Sequence, residues 1–376
     1  MPVTERSSRA LARAGAVLEI DLAGIAENWR RLGARLKSGA RAAAVVKADA
    51  YGLGLAQVAP ALADAGCSLF FVATLDEGLA LRRLLPAAEI AVFGGLLAGT
   101  QGEFGQARLI PVLNDLGQIT AWGAQESTAA LPAMIQVDTG MARLGLSRGE
   151  LATLAAEPGQ LRGLTLRAIV SHLACADEPW HPLNAAQLAA FGAALRSLSA
   201  GRPPAPASLA ASSGILLGPD YHFDIVRPGA ALYGINPTPG AVNPMAQVVR
   251  LKGRILQLRD VDRGVTVGYG AAHRMERPGR IATVAVGYAD GWFRSSTGRG
   301  SAGIAGQRVP IVGRISMDLL TLDVTDTAPD LARPGAFVDL IDDQHDVDAV
   351  AAAAGTIGYE VLTALGRRYH RIYRGG

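Results

Sequence analysis

The sequence predicts an α/β fold in two parts: a (β/α)8 barrel of the TIM type over residues 16–238, then a mainly antiparallel β domain with terminal helical segments over 239–376. Three observations carry this. Between residues 42 and 233, eight short apolar runs alternate with Ala/Leu-rich helical stretches. A Pro/Gly-rich stretch, INPTPGAVNPM (235–245), ends that pattern and reads as a linker. Beyond it, apolar and polar residues alternate between glycine turns. Continuous apolar strands separated by helices belong to a parallel sheet covered on both faces, whereas alternation belongs to an antiparallel sheet with one wet face.

Residues 1–15 carry Arg6, Arg9 and Arg13, which interrupt any apolar core. No secretory signal is expected there, and this leader is expected to be disordered. VLEIDL (17–22) alternates and can pair with the C-terminal sheet. The eight barrel runs are AAAVVK (42–47), SLFFVAT (68–74), EIAVFG (89–94), RLIPVLN (108–114), PAMIQVD (132–138), LTLRAIVSH (164–172), PASLAAS (206–212) and HFDIVRPG (222–229). A count of eight favours a closed barrel over the rival, a doubly wound open sheet. After the linker, VVRLKGRILQLRDV, GRIATVAVGYAD, AGQRVPIVGRISMDLLTLDVTD and GAFVDLIDD read as antiparallel strands. DVDAVAAAAGTIGYEVLTALGRRY reads as two helical pieces.

Composition excludes several classes of function. The 33 acidic and 36 basic residues leave a net charge of +3, and no Lys/Arg cluster is interleaved with aromatics, so no nucleic-acid partner is expected. The longest uncharged run, between Arg227 and Arg250, contains Pro228, Pro237, Pro239 and Pro244 and is no membrane helix. Cys67 and Cys175 lie far apart without metal-ligand spacing. No metal is expected, and the cysteines point to a reducing, cytoplasmic compartment. Only three of the 36 basic residues are lysines: Lys37, Lys47 and Lys252. Codon bias accounts for the skew, but it leaves three candidates for any chemistry that needs a side-chain amine.

Barrel enzymes keep their chemistry at the C-terminal ends of the strands. Those ends hold Lys47, followed by Asp49 and Tyr51; Asp138, followed by Arg143; His172; Ser212-Ser213-Gly214; and Arg227, followed by Gly229 and Ala230. Burial drives a lysine toward the neutral amine that Schiff-base chemistry requires. The alternative for Lys47 is a salt bridge to Asp49. Ser212, Gly229 and Ala230 offer a hydroxyl and unhindered amides where barrels bind phosphate, or else they form an ordinary tight turn. An amine and a phosphate cradle in one barrel mouth suggest pyridoxal 5'-phosphate. Arg227 either pairs with Asp224 or donates to the pyridine nitrogen. An arginine there would leave that nitrogen unprotonated and the ring a weaker electron sink. Such a ring suits an enzyme that returns a proton to the carbon it came from.

The motifs AVVKADAYGLG, VDTGMARLG, FDIVRPGAALYG, VGYG, AVGYADGW, GRISMD and GTIGYE, in this order across residues 16 to 372, resemble those of the alanine racemases. The resemblance implies pyridoxal-phosphate-dependent interconversion of L- and D-alanine by a homodimer with shared active sites. The product would serve peptidoglycan synthesis or alanine catabolism. Lys47 would bind the cofactor and act as acid/base on the D face of Cα. Tyr269, from the partner subunit, would act on the L face. His172 would link Tyr269 to Arg227. Lys47, Tyr51, Arg143, His172, Ser212, Arg227, Gly229, Ala230 and Tyr359 would hold the cofactor. Arg143, Met317, Asp318, Tyr288 and Tyr359 would bind the substrate or narrow its approach.

The chain also departs from the family pattern. Many relatives have a lysine, carbamylated to orient the arginine, where Gln136 stands here. Ser316 replaces a cysteine, and Ala211-Ser212 replaces Asn-Ser. Other readings are a racemase of broader specificity acting on serine, lysine or arginine, a barrel decarboxylase, and a cofactor-carrier barrel. The decarboxylases place an acid where Arg227 stands, and the carriers lack the second domain.

Overall fold

The computed structural model describes residues 9–124, 132–161, 164–199 and 203–376. Residues 1–8 of the expected leader lie outside the described residues. Contacts divide the chain into two units: Ile25–Ala246, and the residues up to Gly24 together with Gln247–Gly376.

The second unit opens the chain with strand β1 (Ala16–Asp21). The barrel unit then contributes β2 (Arg41–Ala42), β3 (Ala44–Val45), β4 (Leu69–Val72), β5 (Glu89–Val92), β6 (Ile110–Leu113), β7 (Pro132–Gln136), β8 (Thr165–Val170), β9 (Ala207–Ser208) and β10 (Ile225–Val226). Strands β3 to β9 form one parallel sheet in sequence order, and β10 pairs parallel with β2. Backbone bonds complete the circuit, from Arg227 N to Ala210 O at 2.9 Å and from Val45 N to Pro228 O at 2.9 Å. The predicted eight-strand TIM-type arrangement is therefore observed, although β9 and β10 are shorter than their apolar runs. All four residues of β4 and of β6 are buried, as expected of strands covered on both faces.

Local signals start the helices. Thr74 and Glu77 form a reciprocal capping box at the helix Leu75–Leu84, and Ser147 and Glu150 do the same at Arg148–Ala156. Asp115 caps Leu116–Gly123. These starts follow closely on strand ends, so the residues after each strand gather at one rim.

In the other unit, β11 (Val249–Val261), β12 (Thr266–Val267), β13 (His273–Arg274), β14 (Gly279–Val284), β15 (Ser301–Ile304), β16 (Gln307–Val312), β17 (Leu320–Asp323), β18 (Phe337–Ile341) and β19 (His370–Arg374) follow. The main sheet runs β14-β17-β16-β15-β18-β11-β1-β19, and β14 also pairs with β11, closing six strands into a ring. All these pairings are antiparallel except that of β1 with β19. Two helices, Val347–Ala354 and Gly358–Ala364, precede β19. The first strand goes with this unit because its backbone pairs with β11 and β19.

Part of the leader differs from the disorder expected of it. Residues 9–13 are helical. Arg254 on β11 donates to Ala14 O at 2.8 Å and Leu11 O at 3.0 Å, while its guanidinium lies 4.3 Å from the Phe337 ring centroid. Among the described residues, no helix is long and apolar enough to cross a membrane.

Candidate active site

Lys47 does not end a strand, as the sequence suggests. β3 stops at Val45, and Lys47 begins a tight turn. Ala48, Asp49, Ala50 and Tyr51 all have φ between 53° and 55°, four consecutive non-glycine residues in the left-handed region. Each costs roughly 1–2 kcal/mol against the right-handed form. Hydrogen bonds offset that cost. Ala48 N donates to Glu77 Oε1 at 2.7 Å, Ala50 N to Val46 O at 3.0 Å and Gly52 N to Ala48 O at 2.7 Å. Leu55 N donates to Asp49 Oδ1 at 2.7 Å, which turns that carboxylate onto the backbone. The lysine left at the head of the turn has its pKa lowered by burial and by the Arg143 cation, against the opposing pull of Glu77.

Tyr51 ends the turn with its ring 4.6 Å from that of Tyr233, centroid to centroid. The Tyr233 hydroxyl donates to Val45 O at 2.9 Å, tying this aromatic pair to β3. Opposite stands Gly229, where a Cβ would overlap the Tyr51 hydroxyl. Gly229→Ala is expected to destabilise the chain by about 1–3 kcal/mol through overpacking, read as a lower denaturation midpoint; an unchanged midpoint would show that the hydroxyl is free to move. Ser212 Oγ accepts from Gly229 N at 3.0 Å and Ala231 N at 3.1 Å. The residues expected to cradle phosphate are thus gathered, with Ala230 opening the short turn Ala230–Tyr233. The hydroxyl and the Gly229 amide are bonded to each other.

Arg227 is 3% exposed. It donates to Ser208 Oγ, to Ser171 O at 2.5 Å and to Leu209 O at 3.4 Å. Asp224 instead accepts from Ala207 N at 2.7 Å. No carboxylate pairs with this guanidinium among the described residues, and burial lowers its pKa to about 10. Its hydrogen bonds to the described residues run from the two terminal nitrogens, Nη1 and Nη2. A buried cation in that state calls for an acceptor atom in the barrel mouth.

His172 follows β8. Its carbonyl accepts from Gln187 Nε2 at 2.9 Å, and Gln187 Oε1 accepts from Ala174 N at 2.8 Å, so a buried amide fixes this backbone. Burial, then Arg227, Arg143 and Lys47, lower the imidazole pKa to about 3. The ring is therefore neutral at ordinary pH. Arg143 is exposed, in a loop held by Asp138, whose Oδ1 accepts from Gly140 N and Met141 N, both at 2.9 Å. Gln136 Nε2 donates to Leu144 O at 3.2 Å, so this amide braces the loop through its backbone. The barrel unit thus brings Lys47, Tyr51, Arg143, His172, Ser212, Arg227, Gly229 and Ala230 to one rim. The cations around His172 suit an anionic ligand.

The other candidates stand on the second unit. Tyr269 is 72% exposed and opens a one-turn helix, Tyr269–Ala271, between Gly268 and Gly270, which have φ of 74° and 66°. The positive φ of the flanking glycines is what lets the backbone make this turn on either side of the tyrosine. Tyr288 N donates to Ser316 O at 3.1 Å and Ala289 N to Met317 O at 2.9 Å, which brings Tyr288, Met317 and Asp318 together. Arg368 clamps them, donating to both Asp290 oxygens at 2.7 and 2.9 Å and to Asp318 Oδ1 at 2.7 Å. Tyr359, on the helix Gly358–Ala364, is partly exposed. Sequence reasoning missed Glu77, Gln187 and Arg368 as supports. Of these only Glu77 carried a signal, the Thr74-x-x-Glu77 capping pattern, and that pattern announces a helix start alone.

Two family models match the chain: alanine racemase, N-terminal domain, over residues 20–237, and alanine racemase, C-terminal domain, over 248–373. The chain belongs to the alanine racemase family. It is thereby an isomerase of the amino-acid racemase class. The alanine racemase of Rhodospirillum rubrum is 52% identical over 366 residues, covering 96% of this chain and 97% of the relative. One from Mesorhizobium japonicum, named catabolic, is 49% identical over 97% of this chain and 95% of its own length. Among solved structures, alanine racemase from Bartonella henselae with covalently bound pyridoxal phosphate has a TM-score of 0.90 at 40% identity, covering 96% of this chain and 99% of that one. The biosynthetic alanine racemase of Pseudomonas aeruginosa has a TM-score of 0.86 at 35% identity, over 96% of this chain and all of the other. This family member therefore shares its whole two-part architecture with alanine racemases.

Proposed function

We propose that this chain is a cytoplasmic, homodimeric alanine racemase that holds pyridoxal 5'-phosphate at the barrel rim. In this reading it interconverts L- and D-alanine with Lys47 and the partner's Tyr269 on opposite faces of Cα. The observation that carries the reading is Lys47. It is an amine driven toward its neutral form by burial, at one rim with a buried arginine that has no carboxylate partner among the described residues. The residues present fit the cofactor. The close approach of Gly229 to Tyr51, with Ser212 beside it, suits a phosphate. The Nε–H of Arg227 suits a ring nitrogen that must stay unprotonated. When bound, the cofactor would supply an electrophilic carbon for an amine and an electron-withdrawing ring beside the substrate's Cα.

The chain's own groups do the rest. Racemisation needs two proton carriers on opposite faces, because a proton removed from one side must be replaced from the other. Each positioned carrier contributes roughly 10²–10⁴-fold. Lys47 Nζ would carry the proton on the D face and the Tyr269 hydroxyl the proton on the L face. A phenol is a weak base at neutral pH. The neutral His172 would accept from Arg227 at one ring nitrogen and donate from the other to the Tyr269 oxygen, favouring the phenolate. Arg143 would receive the substrate carboxylate on the barrel side. The Met317 amide would do so from the partner, its loop braced by Asp318 and Arg368. Tyr288 and Tyr359 would leave room for a methyl side chain. D-alanine for peptidoglycan and alanine catabolism are the two uses this reading admits.

Incubation of the purified protein with L-alanine, followed by chiral chromatography, is expected to yield D-alanine approaching an equal mixture. L-serine, L-lysine and L-arginine are expected to react more slowly. A failure to form D-alanine would sink the reading, and a preference for one of the others would transfer it to the broader-specificity class.

A further inference from the structure

We propose that Glu77 is a positioning residue for Lys47, whose carboxylate ties the first amide after the lysine to the end of the neighbouring barrel strand and so fixes where the amine stands. This assignment rests on the reading of Lys47 as the amine that takes the cofactor.

The geometry separates it from an ordinary helix cap. The capping box needs the Thr74 hydroxyl on Glu77 N, 3.3 Å, and the Glu77 carboxylate on Thr74 N, also 3.3 Å. The two shortest bonds to this carboxylate lie outside the box. Oε1 accepts from Ala48 N and Oε2 from Ala73 N, each at 2.7 Å. Ala73 follows β4, and β4 pairs in register with β3, with Ala44 opposite Phe70 and Val45 opposite Phe71. One carboxylate therefore spans the two strand ends and grips the left-handed turn at its first residue. The other acid of the turn, Asp49, is committed to Leu55 N.

Charge adds a second role. The charged and titratable groups at this rim are Asp49 and Tyr51 in the turn after β3, Glu77 on the helix Leu75–Leu84, Asp138 and Arg143 after β7, His172 after β8 and Arg227 after β10. Arg143 disfavours the protonated form of Lys47, as burial does, and Glu77 favours it. Removing the Glu77 charge therefore lowers the pKa of the amine. A glutamine there also loses one of the two short bonds, because its nitrogen cannot accept from an amide. An aspartate keeps the charge but is too short to reach both amides.

The test uses the full-length chain, stripped of cofactor with hydroxylamine and then mixed with pyridoxal phosphate across a range of pH. The signal is the visible absorbance of the adduct, formed when Lys47 Nζ condenses with the aldehyde carbon and one water is released. Wild type, Glu77→Gln, Glu77→Asp and Thr74→Ala are compared, with kcat and KM for L-alanine measured on the reloaded proteins.

For Glu77→Gln, the high-pH plateau rate and kcat are expected to fall by about tenfold or more, with KM little changed, because misplacing a reacting group is costly. The midpoint of its pH profile moves to lower pH. Glu77→Asp is expected to lose plateau rate while keeping the wild-type midpoint. Thr74→Ala, which removes half of the cap, is expected to lower only the unfolding midpoint. Should Glu77→Gln not fold, Glu77→Asp decides the matter by its plateau rate. Glutamate variants that behave like Thr74→Ala, while borohydride fixes cofactor to Lys47 in wild type, would overturn the assignment alone. A wild type that gives no adduct at Lys47 would overturn the underlying reading as well.

Discussion

Lys47→Ala is expected to abolish racemisation, with a loss of roughly 10⁴-fold or more, and to remove the visible absorbance of the protein loaded with pyridoxal phosphate. The size follows from two losses at once: the covalent anchor and the proton carrier of one face. The structure also says why no other lysine can substitute. Lys37 lies 5.6 Å from the ring centroid of Phe223, stacked as a cation on an aromatic face. Lys252 is on β11, 3.9 Å from both Glu19 and Asp339. Neither stands at the rim that holds Arg227 and Gly229. Borohydride reduction of the loaded wild-type protein, followed by peptide mapping, should place the label on Lys47. Label on Lys37 or Lys252 would refute the assignment.

Tyr269→Phe is expected to keep the cofactor and its absorbance, and to slow loss of the α-proton from L-alanine by roughly 10²–10⁴-fold. Deuterium exchange at Cα reads this directly, and near-normal exchange would exclude the phenol as a proton carrier. The same pair of variants tests sharing between subunits. In a two-fold dimer of Lys47→Ala with Tyr269→Phe, one site inherits both lesions and the other inherits neither. Equal mixing should restore about one quarter of wild-type activity, since half the dimers are mixed and each has one intact site. No recovery, with mixed dimers verified, would place both residues of a site in one chain.

What could be read from the residues followed the range of the forces involved. The parallel strands were legible because a strand covered on both faces must be apolar throughout, and LFFV in β4 and IPVL in β6 are. Lys47 was legible because a cation closing such a run is costly and demands a reason. The turn after it was not. Ala48-Asp49-Ala50-Tyr51 contains no glycine, and nothing local favours a left-handed path there. Its hold on Glu77 comes from a residue on another helix. Arg227 was legible as a group needing an acceptor, but not its protein partners. Ser208 and the Ser171 carbonyl come from neighbouring parts of the barrel. Tyr269 was found by motif alone. The glycines beside it were visible, yet a positive φ at both is a property of the folded backbone.

The place of β1 has a consequence for how the chain is made. Ala16 pairs with Gly253 and Val17 with His370, so both neighbours of this strand leave the ribosome only after the whole barrel has been synthesised. The barrel can condense while its N-terminal extension is still a single unpaired strand, rich in apolar side chains and open along both edges. A nascent chain stalled between residues 246 and 370 therefore presents a sticky edge that the finished protein hides. β19, made after the whole barrel, is the strand that covers it.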